Sequence, residues 1–282
     1  MLFMERRQLK RLLEGFLSED LGSGDVTSSF TPNRKVNARI ISNSNGYVSG
    51  ISELKLLFTG HRIKVKALSK DGGRVRKGQT VLSLTGMSRD ILAVERTALN
   101  MLSHMSGVTT ATRVYAGALA KSKSHAKVAA TRKTMPGLRY FDKKAVVLGG
   151  GLSHRMGLHD WILIKDNHLK AFGNDVVAAV EAAKKSGVRA KIEVEVQRAY
   201  DALAAATYGA NIIMFDNMPP KQVADSVRLL KAAGLRRRVI LEVSGGVTLK
   251  TIGSYGKTGV DWISVGRITH SAPALDFSLD FD

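Results

Sequence analysis

The sequence predicts an α/β fold in which a small antiparallel sheet precedes a series of βα units. From Val128 onward, β-like runs recur at a spacing of roughly 20–30 residues, and Ala-rich helical segments separate them, as in a β/α barrel. Before that point, short alternating runs between Val36 and Leu84 are separated by Gly-containing turns, as in an antiparallel sheet. No G-x-G-x-x-G motif opens a helix after the first of the βα strands, so a dinucleotide-binding fold is poorly supported.

Hydrophobic spacing defines the elements before the barrel. Apolar residues from Leu9 to Leu17 repeat at helical intervals, which predicts an amphipathic helix that stops at Ser18-Glu19-Asp20. The antiparallel sheet that follows is expected to contain three runs with alternating polarity: Val36–Ile41, Ile63–Ala67 and Thr80–Leu84.

A second helix is expected over Ile91–Leu119. Its apolar residues share one face, and Gly107 is expected to interrupt the helix or to end its first part. Arg96 does not belong to the apolar face, and its local context indicates only a solvated helix charge.

The barrel prediction rests on the repetition of strand and helix. Six or seven units of this short period favour a barrel, complete or incomplete, over a flat doubly wound sheet. The β-like segments begin near Val128, Trp161, Lys191, Asn211, Arg238 and Asp261, and the main helical segments are Asp175–Lys185, Arg198–Ala206, Lys221–Ala233 and Thr248–Tyr255.

Composition restricts the class of protein. The 282 residues carry 43 Lys and Arg against 24 Asp and Glu, a net charge of +19, which favours polyanionic partners such as phosphorylated small molecules or nucleic acid. Cys is absent, which excludes disulfides, thiolate metal sites and a Cys nucleophile. No apolar run is long enough to span a bilayer, and the N-terminus does not resemble a signal peptide. We therefore expect a cytoplasmic protein without membrane contacts.

Polar groups follow each predicted barrel strand, where the catalytic residues of β/α barrels lie. One charged strand end is unremarkable, but six in register indicate a shared site. Glu193 and Glu195 alternate along one strand, so both point to the same face. The other strand-end groups are Arg132 and Lys133; Lys165, Asp166, Asn167 and His168; Asp216 and Asn217; Ser244, Gly245 and Gly246, with Glu242 before them; and Gly266, with Ser264 before it.

These groups describe an anionic ligand. Arg forks suit planar carboxylates, and Lys acts as a point charge suited to phosphate. Glu195 and Asp216 could bind ribose hydroxyls or hold Mg²⁺ that bridges a pyrophosphate. The Gly-containing loops after the last two strands expose backbone N–H groups ahead of a helix, which suits a phosphate monoester. No His, Asp and Glu spacing typical of a zinc site and no nucleophile–base pair is visible, so the site is suited to binding and electrostatics.

Nine stretches of the chain resemble one family, the nicotinate-nucleotide pyrophosphorylases (carboxylating), also called quinolinate phosphoribosyltransferases. The resemblance extends from about Glu19 to Asp280. It is carried by EDLGSGDVTS, ERTALNMLSHMSG, TRKTMPGLR, GGGLSHRMGL, IKDNHL, KIEVEV, FDNM, LEVSGGV and VGRITHSAPALDFSLD.

The resemblance implies an architecture and an assembly. It implies an N-terminal α/β sandwich domain over residues 1–107, completed by residues 268–282, and an open α/β barrel over residues 108–267. It also implies a homodimer, sometimes assembled further, in which Arg96 of one subunit completes the site of its neighbour.

The resemblance further implies a pentosyltransferase that converts quinolinate and phosphoribosyl pyrophosphate to nicotinate mononucleotide, pyrophosphate and CO₂ in NAD biosynthesis, with Mg²⁺. The implied catalytic residues are Lys133, Lys165, Glu195 and Asp216. Arg96, Arg132, His154, Arg155 and Lys165 are implied around the quinolinate carboxylates. Lys133, Lys165, Glu195 and Asp216 are implied to face phosphoribosyl pyrophosphate, with Glu195 and Asp216 as Mg²⁺ ligands, partly through substrate. Ser244, Gly245, Gly246 and Gly266 are implied to hold the 5′-phosphate.

Two alternatives remain open at this point. The ModD-type proteins linked to molybdenum transport share the fold and part of the motifs, although the intact IKDNH and EVEV stretches favour the quinolinate enzyme. A basic nucleic-acid-binding protein would account for the charge but not for the six polar strand ends. The chain also departs from the family at Ser153, where Asn is common, and at Val243, where Ala or Ser is common.

Overall fold

The computed structural model of the chain describes residues 4–282 and contains two compact units. The first unit comprises the chain up to Thr112, together with Met135–Gly149 and Ile268–Asp282. The second unit comprises Arg113–Thr134 and Gly150–Arg267. In the described part of the chain, no helix is both long and apolar enough to cross a membrane.

The first unit contains an antiparallel sheet with strand order β12-β1-β5-β3. Ile40 pairs with Leu279 on one side and with Leu82 on the other, so the C-terminal tail forms an edge strand of this sheet. Helical and short-strand elements complete the unit. Its elements are α1 (Arg6–Leu21), β1 (Lys35–Ser42), β2 (Gly46–Tyr47), α2 (Ile51–Gly60), β3 (Lys64–Ala67), β4 (Arg74–Val75), β5 (Thr80–Met87), the first part of α3 (Ser88–Ala120), α4 (Arg139–Leu148), all but the first residue of α10 (Arg267–His270), and β12 (Phe277–Phe281).

The three sheet runs predicted from alternation are confirmed, but α2 was missed. Ile51, Leu54, Leu57 and Phe58 are buried and recur at helical spacing, so the signal was present in the sequence. The short length of the stretch and its place among alternating runs hide this helical signal. The first helix also extends slightly further than predicted, to Leu21.

The prediction that Gly107 interrupts or ends a helix was wrong. Helix α3 is continuous over 33 residues. A Cβ atom at Gly107 would lie 2.2 Å from the carbonyl oxygen of Pro273, so the glycine lets the C-terminal segment approach the helix closely. The residue is required by packing and does not terminate the helix.

The second unit contains a six-stranded, wholly parallel sheet with strand order β6-β11-β10-β9-β8-β7. Strands β6 and β7 are its edges and do not pair with each other, which confirms an open (β/α) barrel. The six strand positions predicted from sequence are confirmed. The elements are β6 (Lys127–Ala129), β7 (Ile162–Ile164), α5 (Asp166–Ala171), α6 (Val176–Lys185), β8 (Ile192–Val196), α7 (Ala199–Tyr208), β9 (Ile212–Asp216), α8 (Pro220–Ala232), β10 (Ile240–Ser244), α9 (Ile252–Gly256) and β11 (Trp262–Ser264).

The expected domains were residues 1–107 with 268–282, and residues 108–267. One stretch departs from this division. Met135–Gly149, expected within the barrel domain, belongs to the first unit. The reason is α4, which the sequence analysis did not recognise. Its Asp142 is buried and lies 2.5 Å from His104, and its Lys144 lies 2.6 Å from the buried Glu53. These polar contacts and the apolar face of α4 tie the segment to the first unit.

Candidate active site

The predicted strand-end residues of the second unit collect around the carboxyl ends of its parallel strands. Arg132 and Lys133 follow β6, Lys165 follows β7, Glu195 lies near the end of β8 and Asp216 ends β9. Because parallel strands all end at the same edge of a sheet, these groups share one side of the barrel.

A short bridge places His154 and Arg155 beside β6, the first strand of the barrel. Leu152 pairs with Ala129 outside the named strands, and backbone hydrogen bonds of 2.8 and 2.9 Å connect Leu152 with Val128 and Ala130. This contact extends the sheet past its β6 edge. His154 lies two residues after Leu152 and adopts a positive φ of 54°, a left-handed conformation that is uncommon for a residue other than glycine.

Arg132 and Arg155 form a pair of neighbouring cations. Arg155 is buried, with 5% of its surface exposed, and its Nη2 donates to the carbonyl of Leu158 at 3.2 Å. Burial lowers the pKa of Arg155, and the neighbouring charge of Arg132 lowers it further. The Nε of Arg132 is buried without a hydrogen-bond partner among the described residues. Two adjacent, partly desolvated guanidinium groups repel each other, and an anion bound between them would relieve that repulsion.

Lys165, Glu195 and Asp216 form a second group at neighbouring strand ends. The Nζ of Lys165 donates to Oε1 of Glu195 in a close ion pair. Burial raises the pKa of Glu195; the Lys165 contact opposes this rise, and the negative charge of Asp216 adds to it. His168 accepts the backbone N–H of Lys165 at 3.0 Å and so holds the turn into α5. The second group therefore places two neighbouring carboxylates beside one ammonium group.

A cavity of about 550 Å³ opens beside this second group. Its size lies within the range of small-molecule sites. Glu195 and Asp216 both line it, and Asp166, Lys170 and Arg198 contribute further charge. Cavities of about 530 and 750 Å³ also lie in the first unit, but none of the predicted site residues lines them. We therefore place the candidate site at the strand ends.

Two glycines after β10 adopt left-handed conformations, and the helices that follow β10 and β11 are short. Gly245 and Gly246 have φ values of +89° and +60°, and the Cβ position of Gly246 faces open space. Helix α9 begins only at Ile252 and has five residues, and the helix after Gly266 has four. A phosphate here would therefore bind the backbone N–H groups of the loops, with little contribution from a helix dipole.

A buried polar cluster surrounds His154. Its Nε2 lies 2.8 Å from Oε2 of Glu242 and 3.9 Å from Oε1 of Glu193, and both carboxylates are fully buried. Trp161 Nε1 donates to Glu193 and Ser264 Oγ donates to Glu242, each at 2.6 Å. Burial raises the pKa of Glu193 to about 7, with repulsion from Glu242 as the next cause.

The fold brings this cluster together from distant parts of the chain. The sequence spacing indicated no metal site, yet His154, Glu193 and Glu242 are brought close enough to one another to share an ion. Ser264, which lies two residues before Gly266 at the end of β11, has a buried side chain that donates to Glu242. The sequence signal for Glu242 was its place in an otherwise apolar strand, but nothing in the sequence indicated His154, 88 residues away, as its partner.

The remaining predicted residues are accounted for. Lys133 is exposed after β6, and Ser244 and Gly266 lie at the ends of their strands, neither fully buried nor fully exposed. Arg96 belongs to the first unit and is exposed on α3. Ser153, the first departure from the family pattern, directly precedes His154; Val243, the second, is buried in β10.

Comparison with known sequences identifies the family. A profile described as "Quinolinate phosphoribosyl transferase, C-terminal domain" matches residues 108–280, and one described as "Quinolinate phosphoribosyl transferase, N-terminal domain" matches residues 25–106. The chain belongs to the quinolinate phosphoribosyl transferase family. The resemblance stated from the motifs and the assignment to an enzyme class, the pentosyltransferases, are thereby confirmed.

Relatives of this family match the chain over nearly its whole length. A protein of Archaeoglobus fulgidus named "probable nicotinate-nucleotide pyrophosphorylase (carboxylating)" is 45% identical over 91% of this chain and 97% of its own. A Mycobacterium leprae protein named nicotinate-nucleotide pyrophosphorylase (carboxylating) is 38% identical, with 94% of each chain covered.

Solved structures of the quinolinate phosphoribosyl transferase family have the same fold. The nicotinate-nucleotide pyrophosphorylase of Francisella tularensis is 33% identical and matches with a TM-score of 0.91 over 99% of this chain and 98% of its own. The corresponding protein of Ehrlichia chaffeensis is also 33% identical, with a TM-score of 0.89 over 96% and 98% of the two chains.

Proposed function

We propose that this chain transfers the phosphoribosyl group of phosphoribosyl pyrophosphate to quinolinate and releases pyrophosphate and CO₂, forming nicotinate mononucleotide. The observation that carries the proposal is the division of the strand-end charges into two groups. Arg132 and Arg155 form a cationic pair, and Glu195 with Asp216 forms an acidic pair with Lys165 bonded to it. A planar dicarboxylate and a pyrophosphorylated sugar need these two environments.

The arginine pair is proposed to bind the carboxylates of quinolinate. Quinolinate is a dianion near neutral pH, and guanidinium forks bind carboxylates through two parallel hydrogen bonds. The buried Nε of Arg132, which has no hydrogen-bond partner among the described residues, supports this role, because a bound carboxylate would supply an acceptor. His154 lies in the same segment as Arg155 and is proposed to belong to this half-site, together with Lys165.

Lys133, Lys165, Glu195 and Asp216 are proposed to face phosphoribosyl pyrophosphate. Glu195 and Asp216 fit Mg²⁺, because both line one cavity and this ion binds through one or two carboxylates together with substrate phosphates. When bound, Mg²⁺ would neutralise charge on the departing pyrophosphate. Ser244, Gly245, Gly246 and Gly266 are proposed to hold the 5′-phosphate through backbone N–H groups.

The protein contributes to this reaction mainly by orienting the reactants and stabilising charge. The pyridine nitrogen of quinolinate attacks C1 of the ribose while pyrophosphate leaves, and the side chains hold the two reactants in line. The ribosylated ring nitrogen carries a permanent positive charge. That charge stabilises the electron pair left on the ring when the adjacent carboxylate departs as CO₂, and the ring carbon then takes a proton from water. The cationic pocket therefore need only bind and orient the dianion.

A homodimer is proposed in which Arg96 completes the site of the other subunit. The support is its exposure on α3 together with a side chain suited to carboxylates. We also propose that the reaction takes place in the cytoplasm, which fractionation of the native cell would test.

The experiment that tests the reaction is incubation with quinolinate, phosphoribosyl pyrophosphate and Mg²⁺, with quinolinate labelled in the carboxylate adjacent to the nitrogen. We expect nicotinate mononucleotide, pyrophosphate and labelled CO₂ in equal amounts. Pyrophosphate release without CO₂, or no product at all, would contradict the proposal and would favour a relative with another acceptor.

A further inference from the structure

The polar cluster around His154 lies one step beneath the proposed substrate groups. Glu193 precedes Glu195 by two residues on β8, and Glu242 precedes Ser244 by two residues on β10. Residues two apart on a strand point to the same face, and inward-facing residues of a barrel stack in layers. The cluster therefore forms a lower layer beneath the layer that carries the site.

Every described contact of this lower layer is directed at the His154 ring or at a carboxylate that faces it. Glu242 Oε2 lies 2.8 Å from Nε2, and Oε1 of the same carboxylate accepts from Ser264 at 2.6 Å. Glu193 accepts from Trp161 at 2.6 Å and directs its other oxygen toward Nε2. The rings of Trp161 and Trp262 pack edge-on against the imidazole, with centroids 5.1 and 5.7 Å away. The ring is held from three strands and from the segment before β7.

Stabilisation of the fold is a poor explanation for this cluster. Two fully buried carboxylates share one histidine, and apolar residues of similar volume are often at least as stabilising at such positions. Buried polar groups of this kind can instead impose one geometry. His154 needs such a restraint, because its left-handed backbone conformation costs free energy and persists only where surrounding contacts impose it.

We propose that Glu242, with Glu193, is a positioning residue for quinolinate: it fixes the ring and backbone of His154 and thereby aims the adjacent Arg155 at the substrate carboxylate. This inference rests on the proposed function and adds residues that lie beneath the substrate. Glu242 can influence Arg155 through a single residue, because the φ and ψ angles of His154 set the direction in which the Arg155 side chain leaves the backbone.

A metal ion among the same three residues is the competing explanation. The 2.8 Å separation of Nε2 and Oε2 is a direct hydrogen-bond length, and one oxygen of each carboxylate is already occupied by Trp161 or Ser264. These contacts favour a hydrogen-bonded support over an ion site.

Glu242→Met tests the inference, since it preserves side-chain length and removes both acceptor oxygens. We expect its Kd and KM for quinolinate to rise about tenfold, the factor that corresponds to losing a buried charge-assisted hydrogen bond. The KM for phosphoribosyl pyrophosphate should stay within about twofold of wild type. Glu242→Gln keeps one acceptor for His154 and should restore most of the quinolinate affinity.

Two further variants separate positioning from folding. Glu53→Met removes a fully buried carboxylate of the first unit that pairs with Lys144, so it controls for the general cost of losing a buried charge. It should lower the melting temperature and leave the ratio of the two KM values unchanged. If Glu242→Met does not fold, Ser264→Ala serves in its place, because it removes only the hydroxyl that orients Glu242. It should also raise the Kd for quinolinate, by a smaller factor than Glu242→Met.

Calorimetric titration with quinolinate separates this inference from the reaction itself. A wild type that binds quinolinate but forms no product contradicts the proposed function alone, and a wild type that does not bind it overturns both. A folded Glu242→Met or Ser264→Ala with unchanged quinolinate affinity overturns the positioning role. So does an equal rise in both KM values, or a stoichiometric metal in the purified wild type that Glu242→Met lacks.

Discussion

Gly107 lies inside a helix despite the low helix propensity of glycine, because tertiary packing requires it there. Glycine costs a helix interior about 1 kcal/mol relative to alanine, yet α3 runs through this position without a break. Its Cβ position is occupied by the backbone of Pro273 and Ala274, with Pro273 O 2.2 Å away. Gly117 lies in the same helix, is exposed, and has nothing within 4 Å of its Cβ position.

The two glycines therefore predict opposite effects of the same substitution. Gly107→Ala should lower the free energy of unfolding by about 1–3 kcal/mol, because a rigid backbone segment must move. Gly117→Ala should raise it by about 0.5–1 kcal/mol through helix propensity alone. Denaturant titration of both variants measures this. Equal effects would show that the approach of the tail to α3 is not tight.

At the scale of elements, strands β8 and β10 each carry a buried carboxylate within an otherwise apolar run. Glu193 and Glu242 are each fully buried, and burial together with their mutual repulsion raises the pKa of Glu193 to about 7 from a usual 4.5. The folded chain therefore holds a proton that the unfolded chain releases at lower pH. Between these two pKa values the folded state binds more protons, so its stability falls as pH rises.

This linkage predicts a pH dependence of stability. In metal-free buffer the free energy of unfolding should be highest relative to a Glu193→Gln variant near pH 4.5 and should decline toward pH 7, by about 1.4 kcal/mol for each unit of pKa difference at most. Glu193→Gln should lose that part of the decline. Chemical denaturation at half-unit pH steps provides the measurement, and parallel curves for the two proteins would contradict the raised pKa.

The elements differ in how far the sequence determines them. The barrel strands could be predicted because each is an apolar run that ends in polar residues, and Arg132, Lys165, Glu195 and Asp216 could be located from those ends. The contact of Glu242 with His154 could not, because it joins residues 88 positions apart that only the folded sheet brings together. Helix α4 was missed because its neighbours, a TRKT motif and three glycines, indicate a loop, while its buried face packs on the first unit.

At the scale of the whole molecule, the proposed homodimer makes each site depend on both chains. Arg96 is exposed on α3, and the family resemblance implies that it acts in the neighbouring subunit. Isologous two-fold dimers contain two equivalent sites, and each site would then combine residues of both chains.

Subunit mixing tests this assembly. Arg96→Ala and Lys133→Ala should each be nearly inactive alone. After joint denaturation and refolding in equal amounts, half of the dimers should be mixed, each with one intact site, which gives about a quarter of the wild-type activity. Each variant refolded alone is the control. No recovery in a mixture that contains mixed dimers would show that Arg96 does not act across the interface.

The central claim is that the strand ends form two half-sites, and separate binding measurements on two variants test it most directly. Arg132→Ala should weaken quinolinate binding roughly 10-fold to 100-fold, as expected when a charge-assisted contact to a carboxylate is lost, and leave phosphoribosyl pyrophosphate binding with Mg²⁺ nearly unchanged. Glu195→Gln should show the reverse pattern, and the exposed Arg228→Ala, whose partner is Asp225, should change neither. Calorimetry with each ligand gives two dissociation constants for the wild type and for each variant. Loss of both ligands in both variants, or of neither, would contradict the account.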